Sequence, residues 1–507
     1  MNQIKVGAIL SYLSIVIGTI VGLVYTPFLL RMLGQSEYGL MSLANSIIGY
    51  LSLLNLGLGS AMVRYISKYR AEKNRRMEQA VITLFLLFFI GISIVTFIIG
   101  CILTFNVHSL FSQSLTDYEF ARLQKLMLLI SFNIAVGMFS SVFYAVIMAY
   151  EKFIFVKAIG VINTILTPLI MLPLLFLGLK SVGITIASTL LNIINVIIVC
   201  GFCFKNLKIQ LRFLHFSRTF IKNLLGFSFF ILMGMIVDKV YWGTDQFILG
   251  SVLGTKDVAI YNIGSTFTTY FMSFSTAITG LFLPRLTQMD IAKVSKEEFT
   301  NLFIKVGRIQ FLILGLILGG FIILGHEFIK LWVGNEYDLS YWIAVVILVP
   351  FIVPLIQNLG LQMMYVRNLH KFRSIVLFII AIINIVVSIP MAKHYGGVGC
   401  AAVTGASFII GQILILNWFY QKKMGINIPR FWLNISRYIL LLVLIILGFR
   451  GLLSFSHLTI DTWNTLFAWV FAYIILYCCI MWTFGMNKEE KSLIRSIIPH
   501  KIIKYNS

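Results

Sequence analysis

The segment VDKVYWGTD, residues 237–245, gathers polar chemistry inside an otherwise apolar run near 222–249. The ammonium of Lys239 can neutralise an anion. The carboxylates of Asp238 and Asp245 can accept hydroxyl donors or hold a cation, and the rings of Tyr241 and Trp242 can stack on a flat ligand. On a helix, Asp238, Trp242 and Asp245 fall at i, i+4 and i+7 on one face, with Tyr241 beside them. Lys239 is turned about 100° from Asp238 by helical geometry. The competing reading is local neutralisation of Asp238 by Lys239, with the aromatic residues packing against another helix. If the run crosses a membrane, each charge costs roughly 2.5–3.5 kcal/mol near its centre, so charges here carry information.

Composition says that it does cross. The 507 residues are 59% hydrophobic and only 11% charged, against about 25% charged in a soluble domain. A bilayer can absorb that apolar surface, at about 20 apolar residues per helical span. The runs are long and lack strand alternation, which favours spanning helices over a barrel. The formal charge of +22 sits in short clusters between apolar runs, as the positive-inside rule requires, and not on a nucleic-acid face. Six cysteines form no framework; Cys200 and Cys203 in CGFC have no second pair and read as small buried thiols. The first apolar run is too long for a signal peptide and lacks a cleavage-like end, so it is expected to remain in the chain.

Fourteen spans are expected, near 6–30, 38–63, 79–105, 123–148, 154–177, 182–204, 222–249, 257–283, 302–325, 341–365, 374–394, 398–420, 432–453 and 463–485. Every connection is short, and none holds a separate soluble domain. Basic clusters fall on every second connection: 68–76 with Arg64, Lys152 and Lys157, 205–222, 285–308, 367–373, 422–437 and the tail from Lys488. That alternation puts both termini in the cytoplasm and requires an even number of spans.

The polar turn RMLGQSEYGLMSLANS at 31–46 returns as GSVLGTKDVAIYNIGS at 250–265, with Leu33-Gly34 over Leu253-Gly254 at an offset of 220. Lys152-Phe153 repeats as Lys371-Phe372 at 219, Pro173 as Pro390 at 217, and SVGITIAS (181–188) as GVGCAAVT (397–404) at 216. Ordered anchors with so little drift imply an internal duplication. The expected fold is therefore all-α and integral to the membrane: fourteen transmembrane helices, with two six-helix lobes (1–210 and 211–425) followed by two extra helices and a tail (426–507). An even number of spans per lobe makes this a parallel repeat, related by a pseudo-two-fold axis along the membrane normal, and such pairs enclose a cavity that opens alternately to each side. Prolines in the matched spans give each lobe a place to bend.

The stretches LLRMLGQSEYGLMSLA and TDQFILGSVLGTKDVAIYNIGS, with the fourteen-span pattern, resemble the polysaccharide flippases (O-antigen, capsule and exopolysaccharide, Wzx-type) of the multidrug/oligosaccharidyl-lipid/polysaccharide exporter superfamily. The resemblance covers essentially the whole chain. It implies movement of an undecaprenyl-pyrophosphate-linked oligosaccharide from the cytoplasmic to the outer leaflet of the bacterial plasma (inner) membrane, with surface-polysaccharide polymerases as partners. It implies no enzyme activity and no cofactor. A polyprenyl tail can stay in lipid, while the pyrophosphate and sugars need a wet, counter-charged path. Lys239 then becomes a pyrophosphate counter-ion, Trp242 and Tyr241 sugar-stacking surfaces, and Asp238 and Asp245 acceptors for sugar hydroxyls or a coupling ion, proton or sodium. Arg64 and Arg285, 221 residues apart, either receive the pyrophosphate at a cytoplasmic opening or simply anchor span ends. Arg31 is expected to pair with Glu37. Related lipid-II flippases carry basic residues in the first span; here none lies between Lys5 and Arg31, so that feature does not carry over.

Outward movement of a dianion is helped by a negative-inside potential, roughly 2.3 kcal/mol per charge per 100 mV, and the chain has no GxxxxGK[ST] loop for nucleotide phosphates. Three alternatives remain: a cation-coupled small-molecule exporter of the same superfamily, a membrane glycosyltransferase or polymerase, and a scramblase or scaffold. The exporter would not need Lys239, the enzyme would need a larger first outer loop, and nothing in the chain argues for the last.

Overall fold

The computed structural model describes residues 3–497, apart from 112–114, 215, 281, 283–285, 287, 291, 293, 368 and 457–458. Among the described residues every regular element is helical. Eleven helical stretches are long and apolar enough to cross a membrane.

The helices fall into two compact units, Met1–Ile263 with Ser374–Val403, and Gly264–Arg373 with Thr404–Ser507. The first contains α1 (Gln3–Leu33), α2 (Gln35–Gly49), α3 (Leu58–Ala71), α4 (Arg75–Phe105), α5 (Val107–Phe111), α6 (Asp117–Ala149), α7 (Phe153–Phe176), α8 (Lys180–Gly201) and α9 (Arg218–Val252). It also takes the start of α10 (Thr255–Gly280) and part of α14 (His370–Ser407). The second holds the rest of α10, α11 (Lys296–Val333), α12 (Asp338–Ile356), α13 (Asn358–Val366), the short α15 (Leu416–Phe419), α16 (Ile428–Ser456), α17 (Trp463–Ile480) and α18 (Lys488–Ile497). These units are divided differently from the repeat-based lobes. Helix α9 groups with the first 210 residues because its C-terminal end packs on α2, where Leu43 fills the space beside Gly250.

The long helices show a lipid-facing stripe. On α4, Leu87, Ile90, Ile94, Val95, Ile98, Ile102 and Phe105 are exposed at helical spacing, while Val81, Ile82, Phe85 and Phe89 are buried on the other face. Exposed aliphatic stripes of this length suit acyl chains, not water. Inside the first unit, Phe85 and Phe89 pack with Val142 and Val146 of α6. Gly100 lets Ser131 come close enough that a methyl group at Gly100 would overlap its hydroxyl. In the second unit Gly315 and Gly319 of α11 clear the way for Tyr477 and Tyr473. Those hydroxyls donate to the carbonyls of Leu312 and Leu316, each at 3.0 Å, and so fix α17 on α11.

Of the expected spans, one is interrupted and two run together. The second breaks after α2 into a 3₁₀ turn (Tyr50–Asn55), and Leu56 and Gly57 then take left-handed φ of 52° and 67° before α3. Irregular backbone at membrane depth is tolerated only inside protein or beside a wet cavity. The eleventh and twelfth spans are one helical stretch interrupted at Gly396 (φ 60°, ψ −145°), where a side chain would be strained.

The repeated sequences repeat in backbone as well. Gly34 and Gly254 close α1 and α9 with φ of 78° and 98°. The later pair behaves alike: Lys180 and Gly396, 216 apart, both have positive φ (49° and 60°). A Cβ on Gly183 would sit 2.7 Å from Leu179 Cβ, and one on Gly399 would sit 2.9 Å from Tyr395 Cβ. Leu179 and Tyr395 are themselves 216 apart.

Candidate functional site

The polar stretch of α9 lies beside the break in the second span. Lys239 is half-buried, with its ammonium 5.6 Å from the centre of the Tyr50 ring. It rests against Gly49, where a Cβ would come within 2.4 Å of Nζ. Gly49 therefore makes the room that the ammonium occupies. No ion pair joins Lys239 to Asp238, or to any other carboxylate among the described residues, so local neutralisation does not account for it. A half-buried cation over an aromatic face keeps part of its stabilisation from the ring quadrupole.

One turn further, the Tyr50 hydroxyl hydrogen-bonds the Thr244 hydroxyl at 2.5 Å. Asp245 next to it is only 3% exposed. Its Oδ2 accepts from Tyr261 of α10 at 2.5 Å and its Oδ1 from Ser388 of α14 at 3.3 Å. Buried carboxylates need such donors to offset desolvation. Tyr241 is buried, whereas Asp238 and Trp242 (36%) are exposed. The single face of Asp238, Trp242 and Asp245 thus divides by depth: Asp245 enters the protein where α9 meets α10 and α14, and the other two remain accessible. Arg64 of α3 is exposed; Arg285 lies outside the described residues.

A seam on the α2 side of this site was not visible in the sequence. Gly39 meets the start of α10 so closely that a Cβ there would lie 1.8 Å from the Thr255 carbonyl oxygen. Thr255 donates to Glu119 at 2.8 Å, as does Ser36 at 2.6 Å. Asn262 donates to Ser42 at 2.7 Å and to Tyr38 at 3.1 Å, and accepts from Gln246 at 3.1 Å. Ser42 and Asn262 are 220 apart, so a residue touches its own repeat partner. Two polar side chains at equivalent register in the duplication were the available signal.

Glu37 corrects another expectation: its partner is Arg122 of α6, not Arg31. The carboxylate is 4% exposed and accepts from Arg122 Nε at 3.0 Å, from Tyr118 at 2.9 Å, and from Ser181. Arg31 is exposed. Sequence distance misled, because helical packing brings α6 and α8 to Glu37 while Arg31 points outward. Glu37→Ala strands the buried Ser181 hydroxyl and leaves the largely buried Arg122 guanidinium with its bond to the Leu179 carbonyl alone. It is expected to cost about 3 kcal/mol, read as a lowered thermal midpoint of the purified protein, with Glu37→Gln intermediate.

Residues 4–290 match the family described as polysaccharide biosynthesis protein. A relative from Shigella flexneri described as "Putative O-antigen transporter" is 22% identical over 425 residues, covering 81% of this chain and 96% of its own. The fold is similar to a solved structure described as "Lipid II flippase MurJ, inward closed conformation", with a TM-score of 0.74 at 17% identity, covering 96% of this chain and 100% of that one. It is also similar to an inward-facing multidrug resistance MATE family transporter of the MOP superfamily, with a TM-score of 0.56 at 14% identity, covering 80% and 96%. The neighbours are described as transporters and a flippase, in agreement with the resemblance to the polysaccharide branch of the exporter superfamily. With more than half of its length matched, this membrane-spanning chain belongs to the polysaccharide biosynthesis protein family.

Proposed function

We propose that the protein is a flippase, carrying a polyprenyl-pyrophosphate-linked oligosaccharide from the cytoplasmic to the outer leaflet of the bacterial inner membrane by alternating access. The observation that carries this is Lys239: a cation within an expected span, beside a broken helix, stacked on Tyr50 and without a carboxylate partner among the described residues. Maintaining such a charge is costly, and an anionic cargo gives it a purpose. The family membership and the transporters it resembles point the same way. Undecaprenyl pyrophosphate is the cargo that the resemblance implies, and polysaccharide polymerases are its expected downstream partners.

Fourteen crossings follow if the stretch Phe372–Met424 counts as two arms meeting at Gly396, and if α9 and α10 are added to the other spans. The matched turn geometries at Gly34 and Gly254, and at Lys180 and Gly396, support two six-helix lobes in a parallel repeat, with α16 and α17 as the extra pair. The basic connections support cytoplasmic termini. Arg64 and Arg285 are assigned to the cytoplasmic opening, and Asp238, Tyr241 and Trp242 to the sugar path. Asp245, with hydroxyls of Tyr261 and Ser388 on its two oxygens, is assigned to the coupling ion, proton or sodium.

The test is complementation of a strain that lacks its own surface-glycan flippase. The wild-type gene is expected to restore surface polysaccharide. No restoration, together with new resistance to cationic drugs, would replace this reading with that of a multidrug exporter.

A further inference from the structure

A cavity of about 550 Å³ opens in the first unit, on the side that carries the basic turns. The α3–α4 turn, the first turns of α4, the end of α6 and the segment after α8 form its wall. Four cations line it: Arg70, Lys73, Arg75 and Lys208. Lys73 and Lys208 both sit in left-handed backbone, at φ 54° and 51°, a conformation that residues with side chains seldom adopt. Arg70 is held in place by donating to the Ala149 carbonyl and by stacking 3.9 Å from the centre of the Tyr150 ring. The N-terminus of α4 adds its positive dipole end to the same wall.

One acidic group is set into this cationic surround. Glu78 is 7% exposed. Its Oε1 is buried and accepts no hydrogen bond; the Arg70 Nε stands 3.9 Å away, too far for one. Tyr150, pushed up to about 12 by burial and by its hydrogen bond to the Glu78 carboxylate, stays a neutral phenol, so a neutral donor serves that carboxylate while its Oε1 remains without one. A cavity that gathered only anions would be weakened by a carboxylate in its wall, and a cation site would not carry four positive side chains. The two together call for a ligand with both signs: an anion for the lysines and arginines, and a charged donor for the Glu78 oxygen.

We propose that this cavity binds a phosphoethanolamine group, its phosphate among Lys73, Arg75 and Lys208 and its ammonium on Glu78. Phosphate suits a cluster of cations at a helix N-terminus, and the volume is within the range of small-molecule sites. The ligand is either a membrane lipid headgroup or the free compound. The walls are the ends of helices long and apolar enough to cross a membrane, which favours the lipid. The inference stands apart from the transport reading and uses none of the residues assigned to it.

The test uses the full-length protein in nanodiscs containing phosphatidylethanolamine and phosphatidylglycerol in equal amounts, with native mass spectrometry counting the retained lipids. Wild type is expected to keep phosphatidylethanolamine over phosphatidylglycerol by about tenfold, the effect of one hydrogen bond to a charged group. Glu78→Gln is expected to bring that ratio close to one. Lys73→Ala with Lys208→Ala, both exposed positions, is expected to lose both lipids and provides the answer if Glu78→Gln does not fold. Soluble phosphoethanolamine and inorganic phosphate are added as competitors. Displacement by phosphoethanolamine alone supports the site and makes the free headgroup sufficient; displacement by neither supports it with the lipid as the source. Equal retention of the two lipids by wild type, selectivity that survives both changes, or inorganic phosphate competing as well as phosphoethanolamine would overturn the proposal.

Discussion

Gly39→Val is expected to cut surface-glycan export more than tenfold while leaving the protein inserted and near its normal level. A Cβ at Gly39 would stand 1.8 Å from the Thr255 carbonyl oxygen and 2.6 Å from its carbon. Both are backbone atoms and cannot turn aside as a flexible side chain would. Helix α2 must therefore draw away from the start of α10. The Ser36–Thr255 contact at 3.3 Å and the Ser42–Asn262 bond at 2.7 Å lie along the same seam and would be stretched with it. Overpacking of this kind typically costs 1–3 kcal/mol, occasionally more. On the proposed two-lobe, alternating-access reading the seam joins one repeat to the other, so the cost falls on the arrangement in which the two turns touch, while each set of helices stays packed within itself. In a two-state transporter, about 2.7 kcal/mol shifts the ratio of states a hundredfold. Gly39→Ala adds the same Cβ without the further methyl groups and is expected to fall between wild type and valine. Complementation with immunoblotted membrane levels checks both; full export at normal level by Gly39→Val would show that the seam never has to close this tightly.

The second large effect belongs to Lys239. Lys239→Met keeps most of the aliphatic stem that lies along Gly49 and Gly243 and removes only the charge, so lost packing is not mistaken for lost chemistry. A charge-assisted hydrogen bond to phosphate contributes roughly 1.5–3 kcal/mol, or a ten- to hundredfold loss of transport rate. Lys239→Arg is expected to retain a substantial fraction, with its broader head limited by the space beside Gly49. Should methionine and arginine fall together, shape rather than charge matters at this position. Tyr50→Phe, which keeps the ring under Lys239 but loses the bond to Thr244, is expected to be milder than Lys239→Met.

Much of the scaffold was legible because it rests on local, periodic features. Apolar runs marked the helices. The doubled wording around Leu33-Gly34 and Leu253-Gly254 identified two turns that share positive-φ geometry, which glycine adopts without a steric penalty. The polar residues Asp238, Lys239 and Asp245 were legible too, since they stand out against an apolar background. Periodicity could not supply partners. It placed Asp238 and Asp245 on one face without showing that the helices around α9 cover only Asp245. It suggested Arg31 for Glu37 by proximity along the chain, whereas tertiary packing delivers Arg122. The break at Tyr50–Gly57 was equally hidden, because YLSLLNLGLG is apolar enough to continue a span. Only the left-handed Leu56 and Gly57 reveal that the helix restarts there, making room for Tyr50 beneath Lys239.

The most direct measurement is flipping itself. The purified protein is placed in liposomes whose inner leaflet carries a fluorescent undecaprenyl-pyrophosphate-linked oligosaccharide, and an impermeant quencher follows its appearance outside. Wild type is expected to expose the cargo well above the protein-free rate, faster with the interior negative, and Lys239→Met is expected to fall close to the protein-free rate. Wild type no faster than empty vesicles, or Lys239→Met as fast as wild type, would contradict the account.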